Sequence, residues 1–409
     1  MSSTSKLDLH SGLPYWLVVN GLLGDFPPLQ RSLPDEDIVI IGAGISGALV
    51  AHELCSAGFR CTMIDRRLLS SGSTWASTAH LNYELDTSLT DLTKKYGEDA
   101  AVRIYQASVQ AVARVAKVLT ETCVDASYES KPSLYFASDR KGAKANEAEA
   151  ALRNTHGLAV ELLDNSLLKS AYGIDRRNAI LHQNAAQIDA YRAASGLIRF
   201  HAESGALRVF TRTEIKKLKA GKGGVELTTT EGLRIHARHV VCAPGYESAA
   251  FLPKRVMDIN STYALATRPL GKDELWKDGA LIWETARPYC YLRTTAEGRI
   301  LIGGGDIRFK NEAVRDSLLW KKEAMLLEQA AALLPQLGRL TADFTWCGSF
   351  GETVDGLPYI GEYPGIKGVS FALGYGGNGI TFSMIAAGII RNKLQGKPDD
   401  REALFAFGR

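Results

Sequence analysis

Three glycines and one acid form the clearest chemical pattern in the sequence. Gly42, Gly44 and Gly47 stand between an apolar run at 36–41 and a helical pattern. Glycines at such a turn bring backbone N–H groups close to a pyrophosphate at the helix N-terminus. Asp65 ends the next apolar run, where nucleotide-binding βαβ units place a carboxylate on a ribose hydroxyl. The pattern predicts a site for an ADP moiety; the simpler alternative is that the glycines only make a loop.

A second glycine run favours flavin over nicotinamide as the rest of the ligand. The run Tyr375–Thr381 (YGGNGIT) precedes a helix, so N–H groups and the helix dipole face the ligand. Reduced flavin needs such a partner because its pyrimidine edge becomes anionic, and Asn378 is the expected N-cap. The alternative is a glycine-rich entry to a buried terminal helix. A second dinucleotide cradle is not expected at Gly303–Gly305, because Asp306 and further charged residues follow it.

The elements that position these groups alternate between strands and helices. Helical periodicity at 89–123 and 139–154 follows the first βαβ unit, and strand-like sequence occupies 262–305. A chain of 409 residues is too long for one small core. We expect an α/β fold with a discontinuous Rossmann-like FAD-binding domain plus an α+β substrate domain with antiparallel sheet. The expected boundaries are 35–88, 185–255 and 343–409 for the FAD-binding domain, 89–184 and 256–342 for the substrate domain, and 1–34 for an N-terminal extension.

Composition argues against several classes of partner. The formal net charge is +3, which gives no electrostatic case for nucleic acid. The six cysteines lack CxxC spacing, so neither a metal site nor a disulfide framework is expected, and reduced thiols indicate a cytoplasmic protein. The apolar piece Pro14–Gly24 follows no basic region and is too short to cross a bilayer. We therefore expect neither a signal peptide nor a membrane span.

Seven segments form an ordered set along most of the chain from residue 35. They are IVIIGAGISGALVAHEL (38–54), MIDRR (63–67), GSTWASTAHLNYELD (72–86), VVCAPGYES (240–248), RPYCYLRTTAEGRILIGGGD (287–306), FGETVDGLPYIG (350–361) and ALGYGGNGITFS (372–383). As a set they are specific. The chain resembles the FAD-dependent oxidoreductases of the D-amino-acid oxidase superfamily, which includes glycine oxidase, sarcosine oxidase and γ-glutamylputrescine oxidase.

The resemblance implies non-covalent FAD and assigns residues to it. Some sarcosine oxidases attach flavin through a cysteine near the TxDG turn, but Cys347 stands one residue too early for that bond. The implied residues meet the pyrophosphate, the adenosine, the flavin ring and the N-terminus of the last helix. They are Gly42, Gly44, Ile45, Ser46, Gly47, Asp65, Arg66, Arg67, Ser73, Thr74, Ser77, Thr78, Ala79, Ile215, Ala243, Gly245, Gly374, Tyr375, Gly376, Gly377, Asn378, Gly379, Ile380 and Thr381.

The resemblance also implies the chemistry and raises a question about the substrate. A hydride leaves a carbon that bears nitrogen and reaches the flavin, the imine is hydrolysed, and oxygen or another acceptor takes the electrons. Amino-acid oxidases of this superfamily hold the substrate carboxylate with an arginine just before the TxDG turn. Phe350 stands there in this chain, and the nearby charge is Glu352. A cationic, polyamine-like substrate is favoured unless Arg268, Arg287 or Arg293 replaces the anchor.

Four residues are candidates for the substrate side: His80, Tyr291, Arg293 and Glu352. In a regular strand Tyr289, Tyr291 and Arg293 share one face, and the alternative is an exposed arginine with core tyrosines. His80 is expected in a flavin-facing segment, as a proton acceptor, a ring partner or a structural histidine. Glu352 either meets the substrate or binds backbone at the turn.

The expected function is FAD-dependent oxidation of the C–N bond of a small amine or amino acid. γ-Glutamylputrescine oxidase-like activity is the more specific hypothesis. The alternatives are oxidation of a D- or N-methyl amino acid, a flavoprotein subunit that passes electrons to a partner protein, and an NAD-dependent dehydrogenase without flavin.

Overall fold

The computed structural model describes residues 9–409; residues 1–8, part of the expected N-terminal extension, lie outside the described residues. Two large sheets form the framework, and helices pack on them. The strands are β1 (His10–Gly12), β2 (Leu33–Ile41), β3 (Cys61–Ile64), β4 (His80–Leu81), β5 (Glu129–Phe136), β6 (Glu161–Asp164), β7 (Asn178–Gln187), β8 (Leu207–Phe210), β9 (Ile215–Gly221), β10 (Gly224–Thr229), β11 (Arg234–Cys242), β12 (Asp258–Thr267), β13 (Leu281–Glu284), β14 (Cys290–Thr294), β15 (Ile300–Arg308), β16 (Ala342–Glu352), β17 (Tyr359–Glu362) and β18 (Val369–Leu373). The α-helices are α1 (Tyr15–Asn20), α2 (Ile45–Ser56), α3 (Ser73–Ala76), α4 (Leu89–Tyr96), α5 (Glu98–Glu121), α6 (Arg140–Thr155), α7 (Asn165–Tyr172), α8 (Ala190–Glu203), α9 (Glu312–Ser317), α10 (Leu319–Leu333), α11 (Gly379–Leu394) and α12 (Glu402–Phe405).

The eight-stranded sheet has the order β17-β18-β11-β2-β3-β8, and the β9–β10 hairpin joins it through β11. Its neighbours from β18 to β8 run parallel. The carboxyl-terminal halves of β2 and β11 and all of β3 and β18 are buried, as expected of parallel strands covered on both faces, and Val39, Ile40 and Met63 are fully buried. Helix α2 connects β2 to β3 and packs against α8 and α11. This is the βαβ unit that the sequence predicts around Gly42.

The ten-stranded sheet has the order β1-β16-β12-β15-β14-β13-β5-β7-β4, with β6 paired to β7. Its pairs are antiparallel except for β13 with β5. Helix α10 covers one face, where Leu326 and Ala330 belong to the same buried cluster as Leu265 and Ile302. An α/β fold with a mainly antiparallel second sheet is the fold class expected from the sequence.

The first described residues belong to the ten-stranded sheet. His10–Gly12 pair with β16, and the N–H of Ser349 donates a 2.9 Å hydrogen bond to the Leu9 carbonyl. The Trp16 indole of α1 donates a 2.6 Å bond to the carbonyl of Ser77. The segment is thus fastened to the wall of the site described below.

Strands of the eight-stranded sheet come from 33–64, 207–242 and 359–373, so the chain leaves this sheet twice and returns to it. The domain boundaries given above stay predictions. Within residues 9–409, no helix combines the length and the apolar character that crossing a bilayer requires.

Candidate active site

A cavity of about 610 Å³ lies where the carboxyl ends of β2, β3 and β11 face the ten-stranded sheet. Its volume is in the range of roughly 300–1,000 Å³ that small-molecule and cofactor sites occupy. The lining residues fall within 41–46, 64–67, 72–86, 213–216, 243–251 and 283–291, within 348–350 and 375–380, and at positions 9, 262 and 306.

The glycine turn after β2 is built by close backbone approach. Gly42 has φ +108°, and a Cβ there would lie 2.5 Å from the carbonyl oxygen of Ala243. A Cβ on Gly47 would lie 1.9 Å from the Gly42 carbonyl oxygen. The N–H of Ile45 donates a 3.0 Å hydrogen bond to the Thr74 hydroxyl. The turn has no room for side chains, which fits the close approach of a pyrophosphate to the N-terminus of α2.

Asp65 holds the same turn from the end of β3. Its carboxylate accepts 2.7 Å hydrogen bonds from the N–H groups of Ala43 and Arg67. Burial raises the pKa of Asp65, and these two donors oppose the rise. A carboxylate has about four acceptor sites, so Asp65 retains capacity for a ribose hydroxyl. The guanidinium of Arg67 pairs with Glu247 at 2.8 Å, and Arg66 pairs with the same acid.

Helix α11 directs its N-terminus at the other part of the cavity. Asn378 occupies the N-cap position, as predicted, but its side chain makes no capping hydrogen bond. Its amide donates a 2.8 Å bond to the Glu84 carbonyl and accepts one of 3.3 Å from the N–H of Asp86. Asn378 therefore fixes the 84–86 segment instead. Gly379 and Ile380 line the cavity in the first turn of this helix, where N–H groups suit an anionic ligand edge.

The structure places most of the cofactor residues implied by the resemblance on the cavity wall. Three do not line it. Gly47 packs against the turn itself, a Cβ on Gly374 would meet Thr353 at 2.7 Å, and the Thr381 hydroxyl donates to the Asn82 carbonyl. The glycine turn and the two helix N-termini fit FAD.

His80 lines the cavity next to Tyr291, with the two rings edge to face at 5.1 Å. Burial and the charge of Arg293 lower the pKa of His80 to about 3, so the imidazole is neutral near pH 7. Its Nε2 is buried and has no hydrogen-bond partner among residues 9–409. This geometry fits a ring partner better than a proton acceptor.

Arg293 does not line the cavity, which corrects its expected place on the substrate side. It is buried, and its guanidinium donates bonds of 2.7, 3.0 and 3.0 Å to the carbonyls of Thr78, Ala79 and Ile188. Its side chain therefore supports the 78–79 segment from behind. Tyr291 does line the cavity and accepts a 3.3 Å bond from the Thr78 hydroxyl.

Glu352 also lies outside the cavity lining. It is exposed at the end of β16 and accepts a 3.0 Å hydrogen bond from the Asn260 amide on β12. Phe350 lines the cavity at the position that carries arginine in amino-acid oxidases of the superfamily. Cys347 is buried, and its thiol faces Ser11 and Asp316 instead of the cavity.

Sequence reasoning missed two acids at the aromatic end of the cavity. Asp86 accepts 3.0 Å bonds from the Tyr289 hydroxyl and from the N–H of Gly377. Asp306 lines the same wall, and its Oδ1 is buried without a hydrogen-bond partner in the described part of the chain. The sequence offered only a weak signal for these two acids. Each one is the last residue of a segment that carries the family resemblance, 72–86 or 287–306.

Carboxylates line both ends of the cavity, whereas its lysine and arginine residues are confined to one end, where Asp65, Glu214 and Glu247 accompany them. The lining cations lie at the end near Asp65. The end walled by aromatic rings carries carboxylates, and among the described residues no lysine or arginine lines it. The cations are Arg66, Arg67 and Lys216; the rings are Trp283, Tyr289 and Tyr291; the carboxylates beside them are Glu84, Asp86 and Asp306.

Comparison with known proteins identifies the family. γ-Glutamylputrescine oxidoreductase of Escherichia coli (strain K12) is 22% identical over 379 residues, covering 91% of this chain and 85% of that protein. The crystal structure of glycine oxidase from Geobacillus kaustophilus matches with a TM-score of 0.77 at 21% identity, covering 92% of this chain and 99% of that one. L-Proline dehydrogenase from P. horikoshii matches with a TM-score of 0.76 at 19% identity, covering 91% and 97%. The family model described as FAD dependent oxidoreductase (DAO) matches residues 37–392, and the chain therefore belongs to the DAO family of FAD-dependent oxidoreductases.

Proposed function

We propose that the protein oxidises the C–N bond of a small amine that carries no carboxylate near the reacting carbon. The observation that carries this proposal is the aromatic end of the cavity, where Asp86 and Asp306 stand beside Tyr289 and Tyr291 and no lysine or arginine of the described residues belongs to the lining. Carboxylates and aromatic faces both attract an ammonium group. A relative named for γ-glutamylputrescine supports a substrate of that kind as the first candidate.

Oxidation of a D- or N-methyl amino acid is less well supported. That reaction needs a cation to hold the substrate carboxylate. Arg268 pairs with Asp343 at the surface. The Arg287 guanidinium lies 4.9 Å from the centre of the Tyr289 ring but outside the cavity lining, and it donates to the backbone carbonyls of Glu284, Ala286 and Asp86. Arg293 is committed to carbonyls behind the cavity wall. None of these three arginines lines the cavity.

FAD, when bound, supplies the acceptor for the hydride that leaves the carbon. The chain's contribution is binding, orientation and exclusion of water. The glycine turn and Asp65 would hold the ADP part, the N-terminus of α11 would face the flavin edge, and Tyr289 and Tyr291 would wall the substrate end. The imine then reacts with water.

None of the six cysteines, all free thiols, lines the cavity, which supports a non-covalent cofactor. Free thiols also favour, as a proposal, a cytoplasmic location.

The test is anaerobic reduction of the bound flavin, followed by its visible absorbance, with a matched pair of compounds. 1,4-Diaminobutane and 4-aminobutanoate have the same carbon chain and differ in one terminal charge. We expect the diamine to bleach the flavin and the amino acid to do so at least tenfold more slowly. Equal or faster reduction by 4-aminobutanoate, or by N-methyl and D-amino acids, would overturn the proposal.

Admission of oxygen to the reduced protein then tests the electron acceptor. Peroxide in amounts equal to the flavin reduced identifies an oxidase. Stable reduced flavin in air points instead to a dehydrogenase or to a flavoprotein subunit with a partner protein. The family assignment argues against a dehydrogenase that uses NAD without flavin.

A further inference from the structure

A β-bulge in β15 turns Asp306 toward the cavity. In the pairing of β15 with β12, Ser261 is opposite Ile307 and Tyr263 is opposite Gly304, so Thr262 faces two residues at once. Gly304 and Gly305 have φ +138° and +66°, which only glycine adopts readily. A regular strand would put Asp306 on the same face as Ile302, which is core. The extra residue reverses that face, as bulges next to active sites commonly do.

On the neighbouring strand β14, Tyr291 packs over Gly303 beside this acid. Gly303 lies opposite Tyr291, and a Cβ on Gly303 would be 2.2 Å from the Tyr291 ring. The tyrosine therefore lies flat over a glycine on the cavity side. Thr262, Tyr291 and Asp306 all line the cavity, so they form one continuous polar edge of its aromatic end.

Asp306 is the acid at this end whose hydrogen-bonding capacity is least used. Asp86 is bonded by Tyr289 and Gly377. Although burial opposes its ionisation, His182 and Arg153 hold the pKa of Glu84 well below its usual range. The Oδ1 of Asp306 lacks a partner among residues 9–409 although it is buried. A buried carboxylate oxygen without a donor is costly, and a substrate N–H would relieve that cost.

We infer that Asp306 binds the ammonium group of the substrate and receives its proton. This inference rests on the proposed function, since an amine gives up a hydride only when its nitrogen is unprotonated. The step moves one proton: R–NH3+ and the Asp306 carboxylate become R–NH2 and the Asp306 carboxylic acid. The nitrogen lone pair is then available as the C–H bond breaks, and bound FAD would supply the acceptor for the hydride that carries both electrons of that bond.

The surroundings of Asp306 suit a base that works near neutral pH. Burial raises its pKa to about 6, Asp86 and Glu352 add to the rise, and Thr262 and Lys322 oppose it. Tyr289 and Tyr291 face the same acid, and burial raises the pKa of both phenols, so they stay neutral. A carboxylate with a pKa of about 6 is charged at pH 7, so it is in the form that binds an ammonium group and can accept a proton.

The experiment follows anaerobic flavin reduction by 1,4-diaminobutane as a function of pH in four proteins. These are the wild type, Asp306→Asn, Asp306→Glu and the matched control Asp258→Asn, an exposed acid on neighbouring β12. In the wild type, the reduction rate divided by the dissociation constant should rise through pH 6. Asp306→Asn should not show this rise, and it should reduce the flavin about 10²–10⁴-fold more slowly at pH 7. Asp306→Glu should still show a rise with pH, and Asp258→Asn should have the same pH profile as the wild type.

A second measurement separates binding from reaction. tert-Butylamine has no hydrogen on the carbon next to nitrogen, so it cannot be oxidised but can still perturb the flavin spectrum when it binds. We expect it to bind the wild type at least tenfold more tightly than Asp306→Asn, with FAD content equal in both. An unchanged rise with pH and unchanged tert-butylamine binding in Asp306→Asn would overturn the inference while amine oxidation stood. A wild type that no amine reduces would overturn the proposed function itself.

Discussion

Arg293 donates a 2.7 Å hydrogen bond to the carbonyl oxygen of Thr78. Two further carbonyls, those of Ala79 and Ile188, accept from the same nitrogen. Burial lowers the pKa of Arg293 to about 10, so the guanidinium is still charged at neutral pH. Arg293, a candidate from the sequence for holding a substrate carboxylate, thus holds the backbone of the cavity wall.

Arg293→Met should destabilise the protein and loosen FAD. The change removes the guanidinium donor from three buried carbonyl groups, of which that of Ala79 keeps only the 3.4 Å bond from the N–H of Ile188, and we expect a cost of about 2–5 kcal/mol in the free energy of unfolding. Denaturant unfolding and the FAD retained after gel filtration measure the two effects. Arg268→Met, at an exposed ion pair, is the matched control and should change neither. A stable Arg293→Met protein with full FAD content would contradict the assigned role.

Gly47→Ala should abolish FAD binding or folding. The new Cβ would lie 1.9 Å from the Gly42 carbonyl oxygen, so the turn or the start of α2 must move. Gly223→Ala in the β9–β10 turn is the control, because nothing lies within 4 Å of its added Cβ. Circular dichroism and FAD content should separate the two variants, and normal FAD content in Gly47→Ala would refute the tight packing of this turn.

Asp65→Asn should weaken FAD binding by roughly 10–100-fold, because hydrogen bonds to a charged group contribute about 1.5–3 kcal/mol. The carboxylate of Asp65 accepts from two backbone N–H groups, those of Ala43 and Arg67. An asparagine has one acceptor oxygen, so its NH2 group would face one of these two donors. Fluorescence titration of the apoprotein with FAD measures the change. Asp35→Asn, at an exposed position on β2, should bind FAD as the wild type does.

Asp306→Asn should stabilise the ligand-free protein in a pH-dependent way. Burial raises the folded-state pKa of Asp306 to about 6, above the value of 3.8 for an unperturbed aspartate, so the folded protein binds the proton more tightly than the unfolded chain. The cost of burying the charge is therefore present above pH 6, shrinks as pH falls, and is gone below pH 4. At pH 8 the variant should be more stable by on the order of 1–3 kcal/mol. A stability difference that does not vary with pH would argue against a buried, unpaired carboxylate.

The nucleotide part of the site was predictable because its signals are local. Gly42, Gly44 and Asp65 belong to one continuous βαβ unit, and strand, turn and helix periodicities are all visible in the sequence. The glycines before α11 were predictable for the same reason. The side-chain role of Asn378 was not, because it depends on the 84–86 segment, which lies far away in the sequence.

The substrate end was less predictable because its geometry depends on contacts between distant segments. Alternation correctly put Tyr291 on the cavity face but did not reveal that the 78–79 segment covers Arg293. The bulge at Gly305 reverses the face of Asp306, so simple alternation fails there. The place of His10–Gly12 on the edge of β16 likewise carries no local signal.

The parallel pairing of β18 with β11, and of β11 with β2, has a consequence for how the chain is made. These three neighbours come from 369–373, 234–242 and 33–41, so the centre of the sheet cannot close during synthesis until almost the whole chain has left the ribosome. A nascent chain that stops before Val369 would leave the apolar end of β11, residues 240–242, without its partner strand, while 234–237 would still pair with β10. We expect premature release to yield aggregation instead of a smaller flavoprotein.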